Sequence, residues 1–371
     1  MSFISSLGLT HFRCYTRSIV GPLSEGFTVF YGVNGAGKTN ILEAASLLSP
    51  GRGLRRARGT EILQRGAQAP WAVSAVLQTS YGPVRVGTGL DSRSDKRAVR
   101  INGADVRGQS ALGEHLSCVW LTPQMDRLFL DSSSQRRRFL DRLVFAFDPG
   151  HSGRVSRYEN AMRQRSRLLQ GGKADPAWLG GLEAQMAEAG VAIAAARLEF
   201  AGRLQAVCGR HDISAFPKVR LAAHGTLEEL LAEAPALEVE ELFKYQLRQS
   251  RGVDMLTGGA ATGPHKADLH VFMADKDMAA AYCSTGEQKA LLLAVILAHA
   301  HLIKAERGAP PLLLLDEVAA HLDEDRRVAL YGLLGDLGGQ VWLTGTDRGL
   351  FAALEGKAQF FEVYEAKIKP V

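Results

Sequence analysis

One segment constrains this chain more than any other, because residues 32–39 read Gly-Val-Asn-Gly-Ala-Gly-Lys-Thr and fill every fixed position of the P-loop pattern. An apolar, strand-like run precedes it at 27–31, and a helical apolar run follows at 41–48. In that context backbone N–H groups and a helix N-terminus both point at a phosphate. The sequence therefore predicts a site for a nucleoside triphosphate.

The pattern gives each of its polar residues a role. Lys38 is predicted to bridge the β- and γ-phosphates, and Thr39 to hold Mg²⁺ through its hydroxyl group. The glycines let the backbone curl around phosphate oxygens. The residues predicted to contact the nucleotide from this segment are Gly32, Asn34, Gly35, Gly37, Lys38, Thr39 and Asn40.

Length and composition set broad limits. A chain of 371 residues is long for one core, which favours two domains. Four scattered cysteines lack metal-ligand spacing and are typical of reduced thiols in a cytoplasmic protein. No signal peptide is visible, and no apolar stretch, including 291–302, reaches the length of a membrane span. We expect a cytoplasmic protein without a membrane segment.

Charge is placed unevenly along the chain. The net charge is +5, yet residues 136–167 alone hold nine arginines and three acids, whereas residues 226–241 hold six glutamates and no base. Arginine concentrated in one segment is the expected footprint of a phosphate-backbone contact. A solvated helix surface explains it equally well, so charge alone leaves nucleic-acid binding open.

A second motif near the C-terminal end fits the first. Residues 312–317 read Leu-Leu-Leu-Leu-Asp-Glu, an apolar run that suits a central parallel strand and ends in two carboxylates. Ligands bind at the carboxyl ends of such strands. We therefore predict that Asp316 holds Mg²⁺ and that Glu317 polarises the attacking water.

The segment 283–289, Cys-Ser-Thr-Gly-Glu-Gln-Lys, opens an apolar helix and has the form of an ABC-type signature. Ser284 and the N–H groups near Gly286 are predicted to contact a γ-phosphate. An ordinary capping box between Ser284 and Glu287 explains the same residues, and both can hold together.

Further residues follow in the order that an ABC-type ATPase requires. Gln124 stands where a Q-loop amide reaches Mg²⁺ or water, and Asp323 where a D-loop crosses to a partner subunit. Residues 341–344 are predicted to be the last core strand, and Thr346 occupies the place of a switch histidine. Each signal is weak alone, and their order favours the ATPase.

The middle of the chain is predicted to be helical. Apolar residues recur at steps of three and four between Leu182 and Leu204, and Val155, Tyr158 and Met162 indicate a helix before it. The predicted architecture is an α/β ABC-type ATPase head, residues 1–130 and 251–371, with a helical arm at 131–250.

Several local strings make the chain similar to the bacterial RecF family, whose members are related to SMC heads. They are Phe12-Arg13-Cys14-Tyr15, the P-loop, Gly51-Arg52-Gly53-Leu54-Arg55-Arg56, Arg136-Arg137-Arg138-Phe139-Leu140-Asp141, and Gly263-Pro264-His265-Lys266-Ala267-Asp268-Leu269. The resemblance covers essentially the whole chain. Two departures from the general ABC pattern, Ser-Thr-Gly-Glu in place of Ser-Gly-Gly-Gln and the lack of a switch histidine, imply slow hydrolysis.

The resemblance implies an ATP- and Mg²⁺-dependent homodimer that clamps DNA, in which the signature of one subunit contacts the nucleotide of the other. It implies slow, DNA-stimulated hydrolysis that releases DNA, and action at single-strand gaps with RecO and RecR to load RecA. It places Arg13 near the nucleotide phosphates, and a surface arginine at the edge of a β-strand explains this residue equally well. Candidate DNA contacts are Arg55, Arg56, Arg136, Arg137 and Arg138. For Arg55 and Arg56 a nucleotide contact stays open, and for the other three an interface or a solvated helix face stays open.

A membrane-transporter subunit is the main alternative, because it uses the same motifs. Such subunits have a shorter helical insert and a fuller signature, and they lack the string at 263–269. A motif fixes the chemistry and leaves the biological partner open.

Overall fold

The computed structural model describes residues 2–91, 96–172, 175–209 and 216–371. Contacts between residues divide the chain into two compact units. The first comprises Met1–Asp126, Asp212–Phe216 and Leu292–Val371, and the second comprises Arg127–His211 and Pro217–Leu291. This division differs from the expected head and arm, since residues 251–291 group with the second unit. The reason is that β10 (Asp268–Met273) pairs with β9 (Val219–His224). The functional boundary of an arm at 131–250 stays a prediction.

A six-stranded sheet forms the base of the first unit. Its order is β15-β14-β3-β13-β12-β8, and all neighbours are parallel except β14 and β15. The strands are β3 (Gly26–Tyr31), β8 (Cys118–Leu121), β12 (Leu312–Leu315), β13 (Gln340–Gly345), β14 (Ala358–Tyr364) and β15 (Lys367–Pro370). All four leucines of β12 are buried, as expected for a strand covered on both faces. The prediction of a central strand at this position is confirmed.

The prediction that residues 341–344 form the last core strand is wrong. The chain continues into β14, which pairs in parallel with β3 on the side opposite β13. Phe360, Phe361 and Val363 of β14 are buried. Because these side chains complete the core beside β3, the strand β13 lies inside the sheet.

A second, antiparallel sheet of the first unit was not predicted from the sequence. Its order is β2-β1-β4-β5-β6-β7, with β1 (Phe3–Phe12), β2 (Tyr15–Val20), β4 (Ala72–Thr79), β5 (Gly82–Leu90), β6 (Arg97–Ile101) and β7 (Ala104–Val106). Helix α1 (Lys38–Ser46) shares one apolar core with both sheets, since Leu9, Leu42 and Trp342 belong to the same buried cluster. This packing holds the start of α1 against the sheet ends.

Besides α1, the N-terminal and C-terminal parts of the chain contain the α-helices α2 (Gly59–Ile62), α9 (Thr285–Arg307) and α10 (Glu324–Leu337). Helix α9 has 23 residues and is long and apolar enough to cross a membrane, with 83% of its apolar window buried inside the protein. The expectation that no apolar segment reaches this length is therefore corrected. Its burial is typical of the core helix of a globular protein.

The second unit is mainly helical. It contains α3 (Ser133–Phe145), α4 (His151–Gln170), α5 (Pro176–Cys208), α6 (Thr226–Glu233), α7 (Ala236–Gln249) and α8 (Arg251–Thr257), beside a small sheet of order β11-β10-β9 with β11 (Met278–Ala279). Both predicted helices are confirmed as α4 and α5. Asp175 caps α5 by accepting a hydrogen bond from the Ala177 N–H, and Pro176 opens the helix.

One arginine of the arginine-rich segment 136–167 is buried in the second unit and pairs with its acids. Arg165 is buried and donates to Glu183 at 3.0 Å, to Asp254 at 2.7 Å and to the Leu247 carbonyl at 2.5 Å. Arg251 completes the cluster with two hydrogen bonds to Glu183, at 2.9 and 2.6 Å. The arginine-rich segment therefore includes a buried residue that holds helices together and is not accessible to a ligand.

Candidate nucleotide-binding site

The P-loop connects the end of β3 to the start of α1, as predicted. The Gly32 N–H donates to the Gly345 carbonyl at 3.2 Å, and the Ala366 N–H donates to the Ala36 carbonyl at 3.3 Å. Gly32 has a φ of 152°, and a Cβ there would lie 2.1 Å from the Val363 carbonyl oxygen. The loop is thus clamped between the ends of β13 and β14, and only glycine fits at its entrance.

Tyr15 supports the other end of the loop and was missed in the sequence analysis. Its side chain is buried and its hydroxyl donates to the Gly37 carbonyl at 3.2 Å. Gly37 has a φ of 115°, and a Cβ would lie 2.6 Å from the Tyr15 oxygen. Burial raises the pKa of the Tyr15 hydroxyl, which therefore stays protonated and able to donate. The only signal in the sequence was its place at the end of the string that begins at Phe12.

Lys38 folds over the loop that it follows. Its ammonium group donates to the carbonyls of Gly32 at 2.6 Å and Val33 at 3.0 Å, and the residue is 4% exposed. Burial lowers the pKa of Lys38, while the negative charges of Glu317 and Asp316 act in the opposite direction. A buried cation held by neutral carbonyls is well placed to exchange them for phosphate oxygens.

A relay of hydrogen bonds joins the P-loop helix to the two predicted acids. The Thr39 hydroxyl lies 3.0 Å from each carboxylate oxygen of Asp316. The Thr344 hydroxyl donates to Asp316 Oδ1 at 2.7 Å and accepts from the Glu317 N–H at 2.9 Å. The parallel pairing of β12 with β13 creates this arrangement by aligning their carboxyl ends.

The donor set suits a hard cation. Burial raises the pKa of Asp316, and the hydrogen bonds from Thr344 and Thr39 lower it. Within the part of the chain that the structure describes, no group of three or more His, Cys, Asp or Glu side chains forms a metal cage. Mg²⁺ commonly binds through one carboxylate, a hydroxyl and substrate phosphates, and the oxygens of Thr39 and Asp316 fit that pattern.

Glu317 has an unusual backbone conformation. Its φ is 52° and its ψ is 27°, in the left-handed region, which costs a residue with a Cβ about 1–2 kcal/mol. The hydrogen bond from its N–H to Thr344 helps to hold this conformation. Strained residues are concentrated at functional sites, so the observation agrees with the predicted role of Glu317 beside Asp316.

Gln124 and Asp323 were predicted from their position in the order of motifs. Gln124 lies in the 3₁₀ turn Pro123–Arg127 that follows β8, and its side chain is exposed. Asp323 caps α10 by accepting a hydrogen bond from the Arg326 N–H at 2.8 Å. The structure brings neither side chain to the relay, so their nucleotide and partner contacts stay predictions.

Arg13 and Arg55 converge on one buried acid. Arg13 donates to Glu43 at 2.9 and 2.6 Å and to the Glu61 carbonyl at 2.7 Å. Arg55 donates to Glu43 at 3.2 Å and to Asn40 at 2.7 Å. The guanidinium of Arg13 is therefore engaged by Glu43, and its predicted contact with phosphate stays a prediction. Arg56 is exposed, with a φ of 56°.

The signature segment opens α9 with the expected capping box. The Glu287 N–H donates to the Ser284 hydroxyl at 3.3 Å, and the Ser284 N–H donates to the Glu287 carboxylate at 2.8 Å. Lys276 also donates to Glu287, at 2.5 Å, and these hydrogen bonds lower the pKa of Glu287 to about 2. Ser284 is exposed and Gly286 is half-buried. The helix cap is present, and the predicted contact with a second subunit stays a prediction.

The three consecutive arginines of α3 differ in their surroundings. Arg136 forms two hydrogen bonds with Asp268, at 2.7 and 2.6 Å, and Arg137 donates to the Ala267 carbonyl at 2.6 Å. Arg138 is exposed. For Arg136 the contacts favour the interface interpretation over DNA binding, because both carboxylate oxygens of Asp268 occupy its guanidinium.

Comparisons of sequence place the chain among known proteins. A family model described as RecF/RecN/SMC N terminal domain matches residues 3–368. The DNA replication and repair protein RecF of Rhizobium rhizogenes is 48% identical over 364 residues, 97% of this chain and 96% of that protein. RecF of Mesorhizobium japonicum is 48% identical over 370 residues, 99% and 97% of the two chains.

Solved structures agree on the fold. The recombination mediator protein RecF with ATPrS, of the RecFOR pathway, matches with a TM-score of 0.88 at 21% identity, covering 100% of this chain and 98% of that chain. The Smc head domain of Pyrococcus furiosus, bound to the C-terminal domain of ScpA, matches with a TM-score of 0.54 at 17% identity, covering 100% and 96%. The predicted α/β ABC-type ATPase head is confirmed, and a transporter subunit is not favoured. The chain belongs to the RecF family of DNA replication and repair proteins.

Proposed function

We propose that this protein is an ATP-gated, DNA-binding ATPase of recombinational repair and replication restart. The observation that carries the proposal is the relay of Thr39, Asp316, Thr344 and Glu317 beside a clamped P-loop. A triphosphate held by the loop would end beside the Thr39 hydroxyl and the Asp316 carboxylate, with Glu317 as the next residue along the chain. RecF structures described as bound to ATP and to ATPrS support ATP as the nucleotide.

Each residue of the site has a proposed task in hydrolysis. Lys38 exchanges its carbonyl partners for phosphate oxygens, and backbone N–H groups of the loop bind the remaining charge. Thr39 and Asp316 would hold Mg²⁺, with Gln124 as a further ligand, and such an ion would supply positive charge beside the phosphates. Glu317 orients the attacking water and accepts its proton. We expect slow turnover that serves as a switch, since Thr346 replaces the usual switch histidine.

In this proposal ATP controls DNA binding by causing two copies of the protein to form a homodimer. The exposed N-terminus of α9, with Ser284 and Gly286, would meet the γ-phosphate held by the partner subunit, because a helix N-terminus attracts anions. Asp323 would contact the partner beside it. ATP then favours the closed dimer by its differential affinity, and hydrolysis opens it.

DNA is the proposed partner, at single-strand gaps and junctions with duplex. We propose a role with RecO and RecR in loading RecA, within the response to DNA damage; a RecF structure described as part of the RecFOR pathway supports it. A DNA-repair protein of this kind acts in the cytoplasm, where bacterial DNA lies. Arg55, Arg56, Arg137 and Arg138 are the candidate DNA contacts.

The test is light scattering with ATP, ADP or no nucleotide, with a short gapped duplex added in parallel. We expect a dimer that binds DNA only with ATP. Ser284→Arg should abolish the dimer and leave ATP binding intact, since the serine serves the partner's nucleotide. Ser152→Arg, at an exposed position in the first turn of α4, is the matched control. If the protein stays a monomer under all conditions and binds DNA equally well without nucleotide, ATP-dependent dimerisation does not control DNA binding.

A second prediction concerns Thr344, which positions both acids. Thr344→Val removes a hydrogen bond to a buried carboxylate and frees the Glu317 N–H, and hydrogen bonds to charged groups contribute about 1.5–3 kcal/mol. We expect turnover to fall about 10- to 100-fold while the Kd for ATP changes less than about threefold. Steady-state hydrolysis and fluorescent-nucleotide binding measure the two quantities.

The neighbouring strand β3 supplies a matched control for Thr344. Thr28 is also buried, and its hydroxyl has no partner among the described residues, so Thr28→Val should leave turnover unchanged. Thr344→Ser should keep the activity of the parent protein because it retains the hydroxyl. Equal losses in the Thr28 and Thr344 variants would show a packing effect and contradict the positioning role.

A further inference from the structure

Two segments that are far apart in the sequence meet in the second unit, at the start of α3 and at residues 263–269. Arg136 binds Asp268 through two hydrogen bonds, and the Arg137 guanidinium donates to the Ala267 carbonyl at 2.6 Å. The two strings were among the most distinctive in the sequence. Their contact places the basic residues of both on one part of the unit.

The second string is held rigidly. Arg197 donates to the Pro264 carbonyl at 2.6 Å. His265 Nε2 donates to the Ala260 carbonyl at 3.0 Å, and His265 Nδ1 accepts from the Tyr158 hydroxyl at 2.7 Å. Burial lowers the pKa of His265 to about 4, so the ring is neutral near pH 7. His265 therefore fixes the backbone and adds no charge.

The carboxylates close to these arginines already have partners. Asp141 accepts from Arg197 at 2.8 and 2.9 Å and from His151 at 2.7 Å, and Asp268 is occupied by Arg136. Two arginines therefore balance two acids. Arg137, Arg138 and Lys266 lie beside these pairs and bring three further positive charges to this part of the unit.

Within the described part of the chain, none of these three cations forms an ion pair with an acid. Arg137 donates to a backbone carbonyl, and Arg138 makes a long hydrogen bond of 3.4 Å to the Gln135 amide oxygen. Arg138 and Lys266 are exposed. Burial lowers the pKa of Arg137, and the positive charges of Arg197 and Arg138 act in the same direction, while Asp268 and Asp141 act against them. Clustered cations whose nearest carboxylates are already paired with other arginines are a favourable place for an anion.

We propose that Arg137, Arg138 and Lys266 form a binding surface for the phosphate backbone of duplex DNA. The inference rests on the proposed function and adds the location of one DNA contact. Three cations from two segments suit a polyanion, because successive phosphates are engaged together and their counterions are released. The surface does not distinguish one base sequence from another, because contacts of this kind are made to phosphate oxygens and not to the bases.

The test measures the salt dependence of DNA binding by fluorescence anisotropy, with a labelled duplex of about 30 base pairs, saturating ATP and NaCl from about 50 to 200 mM. The variant is Arg138→Gln combined with Lys266→Gln, because both side chains are exposed and Arg137 holds Ala267. Losing two phosphate contacts should reduce the slope of log K against log salt by about 1.8. Affinity at the lowest salt should fall at least about tenfold.

The matched control removes the same charge elsewhere in the arginine-rich segment. Arg163→Gln combined with Arg167→Gln changes two exposed arginines of α4 and should keep the parent slope. ATP-dependent dimerisation of both double variants should equal that of the parent, which shows that the fold and the nucleotide site are intact.

Three outcomes would overturn the inference. If the parent binds DNA and the Arg138–Lys266 variant keeps the parent slope, the surface does not contact phosphate. If the control variant loses as much as the test variant, net charge explains the effect. If the parent protein binds no DNA at any salt concentration, the proposed function itself fails and the inference fails with it.

Discussion

Lys38→Met is expected to lower the affinity for ATP at least about 100-fold, which corresponds to about 2.7 kcal/mol. The Lys38 ammonium group is the buried cation of the loop, and its hydrogen bonds in the described residues go to the carbonyls of Gly32 and Val33. A hydrogen bond to a charged group contributes about 1.5–3 kcal/mol, and the lysine is predicted to reach two phosphates. Methionine keeps the length of the side chain and removes every donor.

Isothermal calorimetry with ATP and Mg²⁺ measures this loss, and thermal unfolding without nucleotide tests whether the fold survives. We expect the melting temperature to stay equal or rise, because removing a buried ammonium group removes its desolvation cost. Lys304→Met is the control, since the Lys304 ammonium also donates to a backbone carbonyl, that of Leu337 at 2.7 Å. Parent affinity in the Lys38 variant would contradict the assignment of the nucleotide site.

Glu317→Gln is expected to slow hydrolysis about 100- to 1,000-fold and to leave ATP affinity nearly unchanged. General-base catalysis typically contributes a factor of about 100 to 10,000, and an amide cannot accept the proton of the attacking water. Glu317 also makes none of the hydrogen bonds described above for the P-loop, so its replacement should leave the loop in place. The variant should therefore bind ATP, form the dimer and stay closed.

Single-turnover hydrolysis measures the chemical step, and light scattering after ATP addition measures the lifetime of the dimer. Glu324→Gln, at an exposed position in the first turn of α10, is the control for loss of one acid of the same type. A Glu317 variant that hydrolyses ATP at the parent rate would assign the base to another residue. One that fails to bind ATP would show that Glu317 serves the fold of the site.

Local sequence patterns were enough to predict much of the nucleotide site and one long helix. The P-loop and the run before Asp316 are contiguous motifs, and the periodicity between Leu182 and Leu204 predicts α5 because a helical face repeats every three to four residues. These features need no knowledge of distant contacts. They could be placed on a strand, a loop and a helix before the fold was known.

Tyr15 and Thr344 could not be predicted in the same way. The role of each depends on a hydroxyl that meets a partner 22 or 28 residues away, Gly37 and Asp316 respectively. One weak signal existed for Thr344, a polar residue that directly follows the apolar run 341–343 near the carboxyl end of a buried strand. Such positions are worth examining wherever a neighbouring strand ends in an acid.

Charge patterns were the least reliable guide. The partner of Arg136 is Asp268, which lies 132 residues further along the chain, so no local count could balance the two. Arg165 is similarly neutralised by Glu183 and Asp254. A run of arginines in a sequence thus contains both ligand-binding candidates and structural residues, and only their partners separate them.

The clamp on the P-loop changes how the end of the chain should be handled in the laboratory. Val363 and Ala366 contact the loop at Gly32 and Ala36, and the Val371 N–H donates to the Phe360 carbonyl at 3.0 Å. Removing residues 364–371, by proteolysis or by design, would take away the Ala366 contact and leave the Val363 contact in place. We expect a preparation trimmed in this way to bind nucleotide more weakly, although every motif residue is still present.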